Sequence, residues 1–536
     1  MRTTGRITMV ILALLLVAAG AFAAGQSAAA TSERVTLNMF MGNSGVAHPD
    51  GIDPSDNWAI KIVEDYADVN LVIEVPGHQD YATKLTLLLA SANLPDIVHG
   101  AVSPPHDMER AADAGAFVNL KSFYDASPVV RRIVNQTAME FAASPGGLWY
   151  SIPMVPFEMP EGRGVFIRYD MLVEYNGGQW PRNVQGYVDF LKWVKATYPD
   201  SIPYPGRKAG DRLFFNSAPF FIWHGVYPYA SSVRNGQYVR DLYTPEYRAA
   251  VEVMRDLYNA GVLDRDFVSS ESAQYWPKWQ QRAVIAENGV DQILPNVYAW
   301  KTTTNDPNAV IKFAPPLAEL PSVVSDVKYT YRHANAAAIF HRTAIAASSR
   351  NQQAAWRVIE GFSTPELREA YEWGREGIEF NWENGVRVAT DRIYSQPTTH
   401  PDLAPADTHG WTLHLGIIQG FWRTTASYAV QELRWGTDPW NDIRTSADWI
   451  QETAQIRGSA LRLPPIERIA TRTGEALAAE STILARTITG EYTMAQFDAA
   501  VAEFKRNYGY FDELYTEYIR DNKADLIRIG GLEADW

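Results

Sequence analysis

The chain has 536 residues, with 62 acidic residues against 48 basic residues and no cysteine. Its net charge of −14 excludes a general electrostatic attraction to nucleic acids and anionic membranes, so we expect no nucleic-acid partner. The lack of cysteine excludes disulfides, thiol chemistry and the attachment of a lipid to a cysteine. Hydrophobic residues make up 46% of the chain, which allows a large core, and the length predicts more than one domain.

The first residues have the order of a secretory signal peptide. Arg2 and Arg6 precede an apolar run over residues 7–19, and the small residues Ala21 and Ala23 provide a cleavage site. We predict a signal peptide at residues 1–23, cleaved after Ala23 or nearby. An uncleaved anchor is the less favoured interpretation, because the apolar run is short for a membrane span and no stop-transfer cluster follows it. We therefore expect an exported protein, periplasmic or extracellular, without a lipid anchor.

The first elements after the leader alternate between strands and helices. Apolar residues alternate with others over residues 35–41, which predicts a strand with a loop at its carboxyl end at residues 42–45. A helix at residues 57–67 and a strand at residues 71–75 complete a βαβ unit. In the next helix, apolar residues recur at i, i+4, i+7, i+8 and i+11 from Tyr81. Asn93 and Pro95 end it, and a buried strand at residues 96–98 of a parallel sheet follows.

Proline-rich segments divide the rest of the chain. The segment after Pro153 predicts a crossing to a second lobe, followed by a strand at residues 165–169 with Asp170 as an N-cap. Further elements are predicted from periodicity and turn residues: helices over residues 187–194 and from Thr244 to Gly261, a strand at residues 282–286 with a loop at residues 287–289, a return crossing near residues 315–321, a buried strand at residues 336–340, and a helix at residues 352–362. The C-terminal third is mainly helical, and Thr493 with Gln496 forms a capping box.

Motifs spread over the mature chain are shared with a known family. They are YATKLTLLLASANLPDI at residues 81–97, GGLWYSIP at 146–153, FIRYDML at 166–172, LYNAGVLDRDF at 257–267, GREGIEF at 374–380 and ITG at 488–490. In these motifs the chain resembles the extracellular solute-binding proteins of family 1, specifically the lipoprotein-A-like branch that serves as the oligosaccharide-binding subunit of carbohydrate ABC transporters.

This resemblance implies an α/β architecture and a two-lobed periplasmic-binding-protein fold of type II. Each lobe would be a mixed sheet flanked by helices, and the C-terminal region would be extended and helical. We expect residues 34–153 and 328–400 to form the first lobe, and residues 154–327 and 401–536 the second. The resemblance also implies a function, in which a monomer binds an oligosaccharide between its lobes and delivers it to the permease subunits of an ABC transporter.

Some members of that family carry a calcium loop after the helix that follows the motif with Arg168. The corresponding residues 198–206 contain one carboxylate, Asp200, and three prolines, which are too few oxygen ligands for a tight site. We therefore expect no calcium, no other metal and no cofactor.

Sugars present C–H faces ringed by hydroxyl groups, so their sites pair aromatic rings with planar polar side chains. The aromatic candidates are tryptophans in loop-like contexts, for which the alternative is a place in the core: Trp223, Trp276, Trp300 and Trp411. The polar candidates follow strands or lie in crossings, and the alternative for them is a loop cap or a solvated surface: Asn43, Glu158, Asp291 and Arg332. Arg168 is predicted to be structural and to pair within its own element.

The alternative function is that of a secreted glycosidase or polysaccharide lyase, because 62 acidic residues offer many carboxylate pairs. A surface adhesin or scaffold is a third class, which predicts neither a cleft nor the binding of small sugars. The sequence lacks a Walker loop, a dinucleotide glycine fingerprint and a nucleophile elbow. His400, His409 and His414 do not have zinc-site spacing. We predict a binding protein and no enzyme.

Overall fold

The structure, a computed structural model, describes residues 34–42, 53–76, 78–91, 93–101, 107–153, 161–289, 306, 308–324, 332–334, 341–393, 402, 455–456, 463 and 466–528. Within these ranges no helix combines the length and the apolar character that crossing a bilayer requires.

The described strands are β1 (Val35–Met41), β2 (Val69–Glu74), β3 (Ile97–Ala101), β4 (Ser151–Pro153), β5 (Glu161–Arg168), β6 (Lys208–Ala209), β7 (Arg212–Leu213), β8 (Ser231–Arg234), β9 (Gln237–Arg240), β10 (Ile285–Gly289), β11 (Ile311–Phe313), β12 (Arg332–Ala334), β13 (His341–Ile345), β14 (Phe380–Glu383), β15 (Val386–Ala389) and β16 (Gln455–Ile456). The described α-helices are α1 (Trp58–Ala67), α2 (His78–Ser91), α3 (Asp107–Asp113), α4 (Lys121–Ala126), α5 (Pro128–Ile133), α6 (Gln136–Ala142), α7 (Tyr169–Asn176), α8 (Val184–Thr197), α9 (Pro219–Trp223), α10 (Pro245–Asn259), α11 (Ser272–Tyr275), α12 (Gln352–Gly361), α13 (Pro365–Trp373), α14 (Glu467–Ala470), α15 (Thr473–Ile488), α16 (Met494–Tyr508), α17 (Tyr510–Asp521) and α18 (Lys523–Arg528).

The first sheet has the order β2-β1-β3-β13-β4. Strand β1 pairs in parallel with β2 and β3, which confirms the βαβ unit and the parallel strand predicted after Pro95. Strand β13 is antiparallel to both β3 and β4. The sheet therefore combines a local parallel unit with a strand that returns from far along the chain.

Both faces of the first sheet are covered by helices. Leu37 and Met39 lie on the face covered by α1 and α12, whereas Phe40 lies on the other face with Tyr81 and Met108 from α2 and α3. The predicted helix at residues 57–67 is confirmed as α1, because Asn57 accepts a hydrogen bond from the Ala59 amide and so caps it.

The second sheet has the order β10-β5-β12-β16, with β11 pairing to β5. Helices α7 to α10 and the C-terminal helices α14 to α18 share one hydrophobic core with β5 and β10. The start of α10 at Thr244-Pro245 and the capping box of Thr493 and Gln496 are confirmed, because Thr244 accepts a hydrogen bond from the Tyr247 amide and Thr493 accepts one from the Gln496 amide. These elements form a second hydrophobic core that is separate from the core of the first sheet.

Several predicted boundaries are wrong. Strand β5 begins at Glu161 instead of residue 165, and β10 extends to Gly289, so that residues 287–289 belong to a strand and not to a loop. Asp170 is not an N-cap; Arg168 precedes α7 without a side-chain cap, and Asp170 accepts hydrogen bonds from Arg168. The predicted strand at residues 336–340 lies outside the described residues.

One lobe assignment also needs a correction. The sequence predicts residues 328–400 to belong to the first lobe, but β12 pairs with β5 and β16 in the second sheet. The return to the first sheet therefore follows Ala334, and β13 is the first described strand after it. The remaining lobe boundaries stay predictions.

Candidate functional site

Two short segments of chain, residues 154–160 and 335–340, connect the two sheets. Strand β4 ends at Pro153 before the first segment and β5 begins at Glu161 after it, while β12 and β13 flank the second. In the first sheet His341 pairs with Ala101, and Arg342 pairs with Pro153. The end of β3, the end of β4 and the start of β13 therefore share one margin of the sheet, which we call the first edge.

The second sheet has a corresponding margin. Ala334 at the end of β12 pairs with Glu161, and Gly289 at the end of β10 pairs with Arg163. We call this margin the second edge. Ligands of open α/β proteins bind beyond strand ends and between lobes, so the first and second edges define the candidate site.

A buried chain of hydrogen bonds lies at the first edge. The imidazole of His99 contacts Thr343 Oγ1 through Nδ1 at 2.9 Å and His341 Nδ1 through Nε2 at 2.8 Å. His99 and His341 are 0% and 3% exposed. Burial lowers the pKa of His99 from 6.5 to about 3, so its imidazole is neutral near pH 7. The rings of the two histidines also lie 5.0 Å apart, which fixes both close to the start of β13.

An ion pair occupies the opposite face of the same strands. Arg342 Nη1 donates to Glu109 Oε1 at 2.6 Å and to the Tyr150 hydroxyl at 2.7 Å. Glu109 is 2% exposed, so α3 is tied to β13 by a pair that is largely shielded from water. The first edge is thus held on both faces of its sheet.

A loop of residues 214–218 is hydrogen-bonded to β10 near the second edge. The loop has two residues other than glycine with positive φ, Phe214 at 58° and Asn216 at 51°. Its last residue, Ala218, donates its amide to Glu287 Oε2 at 3.1 Å, and the same oxygen accepts the Tyr227 hydroxyl at 3.0 Å. Because Glu287 lies near the end of β10, these bonds tie the 214–218 loop to the second edge.

Aromatic rings surround this loop. The guanidinium carbon of Arg207 lies 5.4 Å from the ring centre of Phe215 and 5.8 Å from that of Tyr275. Tyr275 ends α11, and Trp276 follows it at the start of a 3₁₀ turn, Trp276–Gln281. Aromatic rings and a guanidinium group therefore lie side by side at this loop.

The structure places the eight candidate residues unevenly. Outside the described residues lie Asn43, Glu158, Asp291, Trp300 and Trp411. Trp276 opens the 3₁₀ turn beside Tyr275, and Arg332 begins β12, so both lie on elements of the second sheet's lobe.

For Trp223 the predicted loop context is wrong. It ends helix α9 and is 0% exposed, with Tyr187 stacked on its ring at 4.2 Å and Phe220 against it at 5.4 Å. Its indole faces are covered by the second core, so the prediction that Trp223 contacts the ligand is wrong. The sequence around it is almost entirely apolar, and that favoured a buried helix.

Two other expectations have clear structural counterparts. The structural role of Arg168 is confirmed, since this 3% exposed side chain pairs with Asp170 and Asp306. In the segment where some family members have a calcium loop, the Lys195 ammonium donates to the Pro199 and Ser201 carbonyl oxygens at 2.6 and 2.7 Å. These backbone oxygens therefore bind the ammonium group of Lys195.

Sequence reasoning missed Phe215, Asn216 and Glu287. The sequence predicts Glu287 to lie in a loop, whereas it lies in strand β10. Phe215 and Asn216 follow no periodic pattern, and their placement depends on a left-handed backbone that bulky residues rarely adopt.

A two-lobed α/β protein with its candidate site between two sheet edges has the architecture of a solute-binding protein. Residues 58–371 match the family model described as bacterial extracellular solute-binding protein, and the chain belongs to that family. This family is exported.

Comparison with individual proteins agrees with this fold. The chain is 24% identical over 256 residues to Lipoprotein LipO of Bacillus subtilis (strain 168), a match covering 44% of this chain and 47% of LipO, so it spans about half the length of that relative. The alginate-binding protein AlgQ2, in its crystal structure without calcium ion, is similar with a TM-score of 0.65 at 15% identity, covering 91% of this chain and 98% of AlgQ2. The Streptococcus pneumoniae binding protein FusA, an EF-hand mutant in complex with fructo-nystose, is similar with a TM-score of 0.67 at 16% identity, covering 91% of this chain and 100% of FusA.

Proposed function

We propose that this protein binds an oligosaccharide between its two lobes and delivers it, chemically unchanged, to the permease subunits of an ABC transporter. The observation that carries the proposal is the pair of sheet edges joined by two short segments, in a chain that belongs to the solute-binding family. The first edge contributes buried polar side chains and the second contributes aromatic rings. AlgQ2 is named for alginate and FusA was solved with fructo-nystose, which supports a carbohydrate as the ligand.

The finer parts of the proposal extend the sequence predictions. The protein would work as a monomer in the periplasm or outside the cell, free of a lipid anchor because the sequence has no cysteine. The polar candidates Asn43, Glu158, Asp291 and Arg332, together with Trp276, Trp300 and Trp411, stay proposed ligand contacts.

A binding experiment with product analysis tests the function. Purified mature protein is screened by thermal shift against alginate oligosaccharides, fructo-nystose and a set of neutral oligosaccharides. A bound sugar raises the melting temperature because it binds the folded state alone. We expect at least one oligosaccharide to raise it and to be recovered intact.

Recovery of new reducing ends or unsaturated products would instead support the glycosidase or lyase. The absence of any shift across the panel would contradict the sugar ligand. For the bound sugar, Trp411→Ala should weaken binding, whereas Trp382→Ala, a 49% exposed tryptophan on the β14–β15 hairpin, should leave the affinity unchanged.

A further inference from the structure

The 214–218 loop is strained in a way that requires a reason. Phe214 and Asn216 both have positive φ, and for a bulky aromatic residue this conformation is a genuine outlier. Such strain persists only when the surrounding structure fixes the backbone from several sides, and it is concentrated at functional sites.

Hydrogen bonds fix this loop from three directions. The Tyr204 hydroxyl donates to the Ser217 carbonyl oxygen at 2.5 Å, and the Arg207 amide donates to Ser217 Oγ at 3.0 Å. The Ala218 amide donates to Glu287 Oε2, as described above. The loop conformation is therefore set before any ligand arrives.

The strained backbone divides the side chains of the loop into two sets. Phe214 is 1% exposed and stacks on Phe267 at 5.1 Å, and Ser217 is 0% exposed. Phe215 and Asn216, which lie between them, are only half-buried. The loop thus holds an aromatic ring and a planar amide next to each other at the second edge.

A ring and an amide in this arrangement match the chemistry of a sugar. The C–H face of a pyranose or furanose stacks on an aromatic ring, while an amide both donates to and accepts from neighbouring hydroxyls. Arg207 packs over the Phe215 ring, which restricts its rotamers and lowers the entropy lost on binding.

We propose that the 214–218 loop is a preorganised sugar-contact loop, in which Phe215 and Asn216 contact the oligosaccharide and Glu287 positions them. This inference rests on the proposed function and assigns two of its contacts. Glu287 is a positioning residue, since its carboxylate acts through the Ala218 amide and the Tyr227 hydroxyl.

Calorimetry tests the contacts with the oligosaccharide of the panel that binds the wild-type protein most tightly. Phe215→Ala should raise the Kd by ~10-fold or more, because it removes the stacking surface. Asn216→Gly should also raise the Kd by ~10-fold. Because glycine keeps the left-handed backbone, the loss reports the removal of the side chain and not a change of the loop backbone.

The positioning role of Glu287 has its own test. Glu287→Gln keeps an oxygen that can accept both hydrogen bonds, so its Kd should stay within ~3-fold of wild type, whereas Glu287→Leu should weaken binding by ~10-fold or more. Because Glu287→Gln keeps the loop ordered, the backbone amides of residues 214–218 should exchange hydrogen as slowly in this variant as in the wild type.

Matched controls separate binding from stability. Asn235 also has a φ of 51°, in the β8–β9 hairpin turn, and Asn235→Gly should leave the Kd unchanged. Tyr510, a half-buried ring with the Arg468 guanidinium at 4.9 Å, is the control for Phe215, and Tyr510→Leu should also leave the Kd unchanged. If no oligosaccharide binds the wild type, the proposed function fails and this inference fails with it. If the wild type binds and both Phe215→Ala and Asn216→Gly keep its affinity, this inference alone is overturned.

Discussion

Each lobe buries a titratable group whose charged form is disfavoured by desolvation. The contributions of these two groups to stability should nevertheless change with pH in opposite directions. In the first lobe, burial keeps the base His99 neutral by lowering its pKa to about 3. In the second lobe, burial favours the neutral form of the acid Asp512 by raising its pKa from 3.8 to about 7. Desolvation favours the uncharged form in both cases, so the sign of the response is set by whether the group is a base or an acid.

The second lobe also contains a buried carboxylate whose contacts all reach it from residues far away in the sequence. Glu480 on α15 is 0% exposed and accepts hydrogen bonds from Arg240 Nε at 2.8 Å, the Tyr229 amide at 2.8 Å and the Tyr247 hydroxyl at 3.0 Å. These partners come from β9, α10 and the segment between α9 and β8. The second core therefore depends on the C-terminal helices, whereas the first sheet packs against helices α1 to α6 and against α12 and α13.

Glu480→Ala should have the largest effect, a loss of about 3–5 kcal/mol in the free energy of unfolding, because it leaves the Arg240 guanidinium buried without this carboxylate. Urea unfolding followed by tryptophan fluorescence measures the loss. Glu475→Ala on the same helix is the control, since its 60% exposed carboxylate pairs with Arg472 at the surface. Equal stability of the two variants would show that the second core does not depend on this carboxylate.

The pH response of the first lobe should be the next largest. His99 takes up a proton near pH 6.5 in the unfolded chain but only near pH 3 in the folded protein. Its contribution to the free energy of unfolding is therefore fully present above pH 6.5. Stability should fall as the pH drops through this window, by up to about 1.4 kcal/mol per pH unit from this residue. For His99→Asn, the free energy of unfolding measured with urea should change less steeply with pH between pH 6.5 and 4.5 than for the wild type. Parallel curves for wild type and variant would contradict a neutral buried imidazole.

The second lobe should respond with the opposite sign and a smaller amplitude. Asp512 ionises near pH 3.8 when unfolded and near pH 7 when folded, so its contribution is fully present below pH 3.8 and is lost as the pH rises to 7. Its side chain is half-buried, and we therefore expect Asp512→Asn to be only about 1–2 kcal/mol more stable than wild type at pH 8. Glu513→Gln, at the exposed neighbouring position, should show no such gain.

The same comparison explains which parts could be predicted from the sequence. Local signals sufficed for helix α1, for β3 after Pro95 and for the capping box at Thr493, because each depends on residues close together in the sequence. The register of β12 and the partners of Glu480 depend on segments more than a hundred residues apart, for which a single sequence carries no readable signal. In the site, tryptophan content drew attention to Trp223, although the apolar run around it belongs to the core.

The proposed sugar contacts of the 214–218 loop could not be predicted from the sequence for a different reason. Phe215 and Asn216 gain their position from positive φ at Phe214 and Asn216, and a sequence predicts positive φ well for glycine but poorly for phenylalanine. Glu287 was visible as a carboxylate after a strand, but its role depends on the Ala218 amide, which only the fold brings to it.

Removal of the Lys195 ammonium group in the second lobe should have an effect of moderate size. Lys195→Met removes the ammonium that bonds to the Pro199 and Ser201 carbonyl oxygens, and we expect a loss of about 1–2 kcal/mol in unfolding free energy. Because the wild-type loop already holds its own cation, EDTA or added calcium should leave the wild-type melting temperature unchanged. A calcium-dependent rise in that temperature would contradict the expectation of no calcium.

The smallest effect should come from a contact that joins the two lobes. Arg528 on α18 donates to Glu140 on α6 at 2.5 Å, and this hydrogen bond lowers the pKa of Glu140. Arg528 is 57% exposed, so the pair is screened by salt and contributes little to global stability. Arg528→Gln should leave the melting temperature unchanged but raise amide exchange in α18 by roughly two- to five-fold at low salt, a difference that 1 M salt abolishes. Arg520→Gln, whose partners Glu517 and Asp521 lie on its own helix, should leave exchange in α18 unchanged. Unchanged exchange in the Arg528 variant would mean that this pair does not tie the lobes together.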